Sequence, residues 1–176
     1  IAFGDQMNLK IDSSHRKKIK ANHSATHLLH ESLRRVLGKH VFQKGSKINS
    51  EKLRFDFSHS KSVSIEEIKK IEGMVNALIL HDSKVEVQIL SYDKAIEIGA
   101  TALFGEKYGE EVRVLSMGED LFSTELCGGT HVERLSHLKT FKIISQSSVS
   151  AGIRRIEAVT GSEALKKPSL TDKWSK

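Results

Sequence analysis

The chain has 176 residues, of which 38% are hydrophobic and 28% charged, with a formal net charge of +6. This composition is typical of a folded globular protein, and no run approaches the roughly 20 apolar residues that a membrane span needs. The single cysteine excludes a disulfide within the chain and fits a reducing compartment. The positive charge favours a polyanionic partner, with a solvated lysine-rich surface as the equal alternative.

The first part of the chain predicts a strand, a connector and a helix. Residues 6–11 alternate weakly, as a strand does, and residues 13–20 form a polar, basic connector. Asn22 is a suitable N-cap for a helix over residues 23–37, where leucine and valine recur at helical spacing. Gly38 is a suitable end for this helix.

Alternating strands and two further helices follow. Residues 53–58 alternate as a strand, and Ser64 with Glu67 three positions later predicts a capping box that starts a second helix. Asp93 starts a short helix that Gly99 ends. Four more strands are predicted at residues 85–89, 112–115, 141–144 and 153–159. This order indicates an α+β fold, with two or three helices on a mostly antiparallel sheet.

One predicted domain covers residues 21–165. Residues 1–20 are predicted to be an N-terminal strand and basic connector from a preceding region, and the absence of an initial Met suggests a piece of a longer protein. The only proline, Pro168, lies beyond Gly161, and we expect the chain to be loose there, with residues 166–176 as a flexible tail.

Two histidines at helical spacing form half of a candidate metal site. His23 and His27 are four residues apart, so on a helix both imidazoles project from one face and reach one ion. His30 and Arg34 fall in the same narrow sector, beside the apolar stripe. Alone the pair is weak evidence, because nine histidines give such spacings by chance.

A second pair, Cys127 and His131, supplies the other half. The Gly128-Gly129 step between them predicts a turn that glycine makes easily. Together the two pairs give three imidazoles and one thiolate, a ligand set that Zn²⁺ accepts in tetrahedral geometry. We therefore predict a zinc site, with a buried structural cysteine as the alternative for Cys127.

The same residues exclude two other classes of zinc protein and leave two alternative functions open. A zincin protease needs Glu after the first histidine, and Ser24 stands there. A Cys₂His₂ zinc finger needs two cysteines that the chain lacks. A Cys-His hydrolase with Cys127 as nucleophile stays open, although it leaves the helical histidine pair unexplained. A zinc-stabilised nucleic-acid-binding module without catalysis also stays open.

Six motifs in order resemble the editing domains of alanyl-tRNA synthetases. They are residues 22–30 (NHSATHLLH), 43–46 (QKGS), 53–59 (LRFDFSH), 102–108 (ALFGEKY), 127–131 (CGGTH) and 154–161 (RRIEAVTG). The two zinc half-sites alone also resemble threonyl-tRNA synthetase editing domains and free-standing alanyl-tRNA editing proteins. The third and last motifs favour the alanine synthetases.

The resemblance implies a zinc-containing aminoacyl-tRNA hydrolase that cleaves mischarged Ser-tRNA(Ala) and Gly-tRNA(Ala). Its partners are then the tRNA(Ala) acceptor end and the remainder of the synthetase in cis, with no membrane, and its location is cytoplasmic. The aminoacylation core of the family is not in these 176 residues, so no tRNA charging is expected of them alone. The alternative is a free-standing editing hydrolase, against which the missing initial Met argues.

The resemblance also assigns site residues. The implied zinc ligands are His23, His27, Cys127 and His131. The predicted catalytic residues are Cys127 and Gln43, the latter to orient the substrate or the attacking water. The predicted substrate-binding residues are Thr26, Asp56, His59, Arg154 and Arg155. Thr26 is the candidate for the serine hydroxyl and the arginines for phosphate, with an ordinary structural role as the alternative for each.

Overall fold

The computed structural model describes residues 5–102 and 108–172, and it confirms the α+β class. In this part of the chain the helices are α1 (Ser13–Leu37), α2 (Ile65–His81), α3 (Tyr92–Glu97) and α4 (Gly161–Lys166). The strands are β1 (Gln43–Ile48), β2 (Leu53–Ser58), β3 (Glu86–Ser91), β4 (Glu111–Met117), β5 (Ser123–Leu126), β6 (Phe141–Ser150) and β7 (Ile153–Thr160). Two 3-10 turns span Glu119–Leu121 and Leu135–Leu138.

Helix α1 begins ten residues earlier than the sequence predicted. Asp12 is its N-cap and accepts bonds from backbone N–H groups of the first turn. The connector predicted at residues 13–20 is therefore wrong, because those residues are helical, and residues 6–11 form no strand. Asn22 is not a cap but a buried residue inside the helix, where its amide donates to the Asn49 carbonyl oxygen.

The main core lies between one face of a four-stranded antiparallel sheet and two helices. The strand order is β1-β2-β7-β6, and Phe55 on β2 faces Ile156 on β7. Helices α1 and α2 pack on this face. The capping box predicted for α2 is confirmed, since Ser64 and Glu67 exchange side-chain and backbone bonds. This packing fixes the position of α1, which carries His23 and His27.

A second antiparallel sheet has the order β3-β4-β5. It is separate from the first, so the single sheet predicted from alternation is in fact two. Strand β5 is short and ends at Leu126, and Cys127 follows it directly. The second sheet therefore brings Cys127 to α1.

The chain after Gly161 is not loose where the structure describes it. Residues Gly161–Lys166 form α4, and Ser169 and Thr171 are buried. The backbone N–H of Leu170 donates to the Ile143 carbonyl oxygen at 2.7 Å. The predicted flexible tail is thus wrong as far as residue 172, because side chains beyond Pro168 dock against β6 and α2. No helix among the described residues has both the length and the apolar composition that crossing a membrane requires.

Candidate metal centre

Four side chains predicted from two distant motifs converge in the structure. His23 and His27 project from α1, while Cys127 and His131 come from the segment after β5. One ligand atom of each lies within 4.8 Å of all the others. His27 and His131 are buried, and Cys127 is half-buried. The group is therefore compact enough to bind one metal ion.

Distances within the group fit a tetrahedral ion of zinc's size. Nε2 of His23 lies 3.6 Å from the Cys127 sulfur, and Nε2 of His131 lies 3.3 Å from it. Bond lengths of about 2.3 Å to sulfur and about 2.1 Å to nitrogen place such ligand atoms roughly 3.5 Å apart. Among the residues that the structure describes, the buried Nε2 of His27 has no hydrogen-bond partner. A buried nitrogen without a hydrogen-bond partner is expected of a metal ligand, because its lone pair would bind the ion.

Glu125 is a part of the centre that the sequence reasoning missed. Its carboxylate accepts from Nδ1 of His27 at 2.6 Å and from Nδ1 of His30 at 2.9 Å, and all three side chains are buried. With the proton of His27 on Nδ1, the lone pair of Nε2 points into the ligand group. The sequence feature that could have indicated Glu125 is a carboxylate in a short strand, two residues before the only cysteine.

Electrostatics favour the deprotonated forms of Cys127 and His131 and the protonated form of His27. Burial raises the pKa of the Cys127 thiol, but hydrogen bonds from His131 and His23 and the charge of His27 outweigh it and lower the pKa to about 3. Burial and the neighbouring imidazoles lower the pKa of His131 to about 4. Burial opposes protonation of His27, yet Glu125 and Cys127 raise its pKa. Near neutral pH Cys127 is thus a thiolate, and a cation that binds displaces the second proton of His27 from Nε2.

Arg113 on β4 fixes the segment that carries Cys127. Its Nη1 donates to the carbonyl oxygens of Cys127 at 2.7 Å and of Gly129 at 2.8 Å. The N–H of Gly129 also donates to the Cys127 sulfur at 3.5 Å. A charged guanidinium on two carbonyls holds an irregular segment in one shape. The thiolate position is therefore set by the second sheet.

The glycines between Cys127 and His131 were predicted to allow a turn, but the structure gives a different reason for glycine at position 129. Neither has a positive φ, so no left-handed turn requires them. A Cβ at Gly129 would instead overlap the imidazole of His23, whereas a Cβ at Gly128 would meet nothing within 4 Å. Gly129 is needed because the two halves of the metal centre approach closely there.

We therefore expect Gly129→Ala to displace His23 and to weaken Zn²⁺ binding about tenfold or more, an effect of the size found when partners of a ligand are disturbed. Gly128→Ala is the matched control, because its Cβ has open space. Competition of each purified variant with a chromophoric chelator measures the affinity. Equal affinities for the two variants would contradict this reading.

The predicted pocket residues Gln43 and Thr26 lie on elements that face the core. Gln43 begins β1, is half-buried, and is paired with Phe57, so it shares the sheet face that α1 covers. Thr26 is buried on α1, and its hydroxyl donates to the carbonyl oxygen of Asn22 at 2.9 Å. Contact of either with a substrate stays a prediction.

The structure does not bring Asp56 and Arg155 to the metal centre. They form a two-bond ion pair at 2.7 and 2.8 Å. Since Phe55 faces the core, their alternating positions place them on the opposite face of the sheet from α1. This pair has a structural role, and its contact with substrate stays a prediction.

His59 and Arg154 also have other partners. Nδ1 of His59 lies 2.9 Å from Nε2 of His40, and Arg154 donates to the side-chain oxygen of Gln146 at 3.3 Å. Neither contact involves a ligand of the metal centre, and a substrate role for either stays a prediction. In the motif at 102–108, residues 103–107 lie outside the described residues.

Comparison with known proteins agrees with the resemblance. The family described as "Threonyl and Alanyl tRNA synthetase second additional domain" matches residues 112–157, which include Cys127 and His131. The chain is 55% identical over 170 residues to the alanine–tRNA ligase of Parvibaculum lavamentivorans, with 93% of the chain covered. It is 56% identical over 164 residues to that of Ruthia magnifica, with 93% covered, and 55% identical over 165 residues to that of Saccharophagus degradans, with 94% covered.

These matches cover nearly all of the chain but only part of each relative. The chain spans 19% of the length of each of the three ligases. The motifs of residues 22–30 and 127–131 belong to a chain that matches at this identity over 93% or more of its length, which chance histidine spacing does not explain. The chain therefore belongs to the alanine–tRNA ligase family, as the segment that contains its second additional domain.

Proposed function

We propose that this domain hydrolyses the ester bond of tRNA(Ala) mischarged with serine or glycine, at a site that holds Zn²⁺. The observation that carries the proposal is the group of three imidazoles and a thiolate, with the orphaned His27 Nε2, in a chain of the alanine–tRNA ligase family. The family and the donor set support it together, since each alone fits several chemistries.

Physical limits on recognition explain why such a reaction is needed. A pocket for alanine cannot strongly reject glycine, which lacks one methyl group, or serine, which adds one hydroxyl. A second site must then cleave the wrong ester and spare Ala-tRNA(Ala). A site that selects serine does so by bonding its hydroxyl, because alanine leaves that polar partner unpaired. Thr26, whose oxygen retains a lone pair while it donates to Asn22, is our candidate.

The residues of the centre would hold the ion and the reacting end in fixed geometry. His23, His27, Cys127 and His131 supply the ligands, and Glu125 orients one of them. Bound Zn²⁺ supplies positive charge that attracts and polarises oxygen atoms of the substrate. Four protein ligands fill a tetrahedron and leave no open position for water. We therefore assign the orientation of the attacking water to Gln43 and neighbouring backbone groups.

Release of amino acid from Ser-tRNA(Ala), Gly-tRNA(Ala) and Ala-tRNA(Ala) by the zinc-loaded domain tests the proposal. We expect hydrolysis of the first two and sparing of the third. A domain that binds tRNA without releasing serine is instead a zinc-stabilised binding module. Hydrolysis that persists after a chelator has removed all zinc, yet stops when Cys127 is alkylated, identifies a metal-free Cys-His hydrolase.

A further inference from the structure

A groove lined by lysines borders the part of α1 that precedes His23 and the segment that follows His131. Its cavity of about 520 Å³ is bordered by the first half of α1, the 3-10 turn Leu135–Leu138 and the start of α4. Four lysines line this groove, which we call the lysine groove: Lys17, Lys18, Lys20 and Lys139. None of the sequence motifs includes these residues.

The charge of the lysine groove fits an anionic ligand. Two carboxylates also line it, Glu133 and Glu163, and Glu163 already accepts from the Lys166 ammonium at 2.8 Å. Three of the lysines are exposed, with Lys20 half-buried. Ammonium groups on α1 and at Lys139, which follows the 3-10 turn, can neutralise successive phosphates of a backbone that runs along the groove.

The position of the lysine groove relates it to the metal centre. Ala21 and Val132 line it, and they lie beside the ligands His23 and His131 in sequence. Along α1, Lys17 precedes His23 by six residues, or about 9 Å at about 1.5 Å per residue. A stacked strand rises by about 3.4 Å per nucleotide along its axis, so two or three nucleotides span this distance.

We propose that the lysine groove binds the phosphates of the two or three nucleotides that precede the aminoacylated 3′-terminal nucleotide of tRNA. The terminal nucleotide then lies at the metal centre, and the groove sets the direction from which the strand arrives. This inference rests on the proposed function for the identity of the ligand. It adds to the phosphate contacts predicted for Arg154 and Arg155, of which Arg155 is already paired with Asp56.

A charge-neutralising triple variant tests the groove. Lys17→Gln, Lys18→Gln and Lys139→Gln together keep the side-chain stems and remove three charges. The matched control carries Lys69→Gln, Lys70→Gln and Lys94→Gln, which are exposed lysines outside the groove. Binding of uncharged tRNA(Ala) is measured by fluorescence anisotropy over a series of KCl concentrations, together with kcat and KM for Ser-tRNA(Ala) and Zn²⁺ content.

We expect the groove variant to bind uncharged tRNA(Ala) about tenfold or more weakly, and its salt dependence to be shallower by about 2, near 0.7 for each lost contact. KM should rise while kcat and Zn²⁺ content stay unchanged. Loss of the same size in both variants overturns the proposal, as does wild-type binding by the groove variant. Because tRNA binding is measured without hydrolysis, a wild-type domain that binds through the groove but cleaves nothing refutes only the proposed function.

Discussion

Replacing Cys127 with alanine is expected to abolish both tight Zn²⁺ binding and the release of serine from Ser-tRNA(Ala). The thiolate is the only anionic ligand in the group, and the three imidazole nitrogens that remain are neutral donors. Loss of a direct ligand should weaken zinc affinity by more than about 100-fold, since loss of a partner behind a ligand already costs 10- to 100-fold. Metal analysis and the deacylation assay check the two results.

The control is His81→Ala, which removes an exposed imidazole from the end of α2 and leaves the metal centre intact. A surface ion pair such as that of His81 with Glu119 contributes little to stability, so this variant should behave as the wild type. Wild-type deacylation by Cys127→Ala would show that neither the zinc nor the thiolate takes part. Urea unfolding of both metal-free variants separates a loss of ligand from a loss of fold.

The second large effect is expected for Glu125→Gln, which keeps the shape of the side chain and replaces one acceptor oxygen with a donor. Both oxygens of Glu125 accept a hydrogen bond, one from His27 and one from His30. With glutamine, one of the two imidazoles must move its proton to Nε2 or lose its hydrogen bond. If His27 does so, its metal-binding lone pair is lost. We expect zinc affinity to fall about 10- to 100-fold.

Glu72→Gln is the matched control for this substitution. Glu72 is another partly buried carboxylate that accepts from Ile143 and Ser169, and it lies on α2, away from the ligands. Its change should lower stability without changing zinc affinity. Absorption spectra of the Co²⁺-substituted proteins report the ligand set directly. Identical zinc affinities for Glu125→Gln and the wild type would rule out a positioning role for Glu125.

Parts of the centre were predictable because they depend on local spacing. The His23 and His27 pair follows from helical periodicity, and the short separation of Cys127 and His131 keeps them near one another on any backbone. The capping box at Ser64 is local in the same way. Each of these predictions needed only a few consecutive residues.

The remaining features depend on contacts between distant residues. Glu125 meets His27 across 98 positions of sequence, and no short pattern encodes that approach. Alternation predicts strands without saying which strands pair, so the two sheets were predicted as one. Helix α1 was shortened because Asn22 is as good a cap by composition as Asp12, and only the buried contacts of Asn22 show otherwise. A motif predicted substrate contacts for Asp56 and Arg155, and alternation places both on the sheet face opposite α1.

The ligands of the centre come from opposite ends of the domain. His23 and Cys127 are separated by 104 positions, so an ion held by both is a cross-link that closes a loop of that length. A covalent link that closes a loop of about 100 residues lowers the entropy of the unfolded chain. This raises the free energy of the unfolded state by about 4.7 kcal/mol. An ion that binds only the folded form instead stabilises that form by mass action. Whatever it contributes to hydrolysis, the ion would also hold the second sheet against α1.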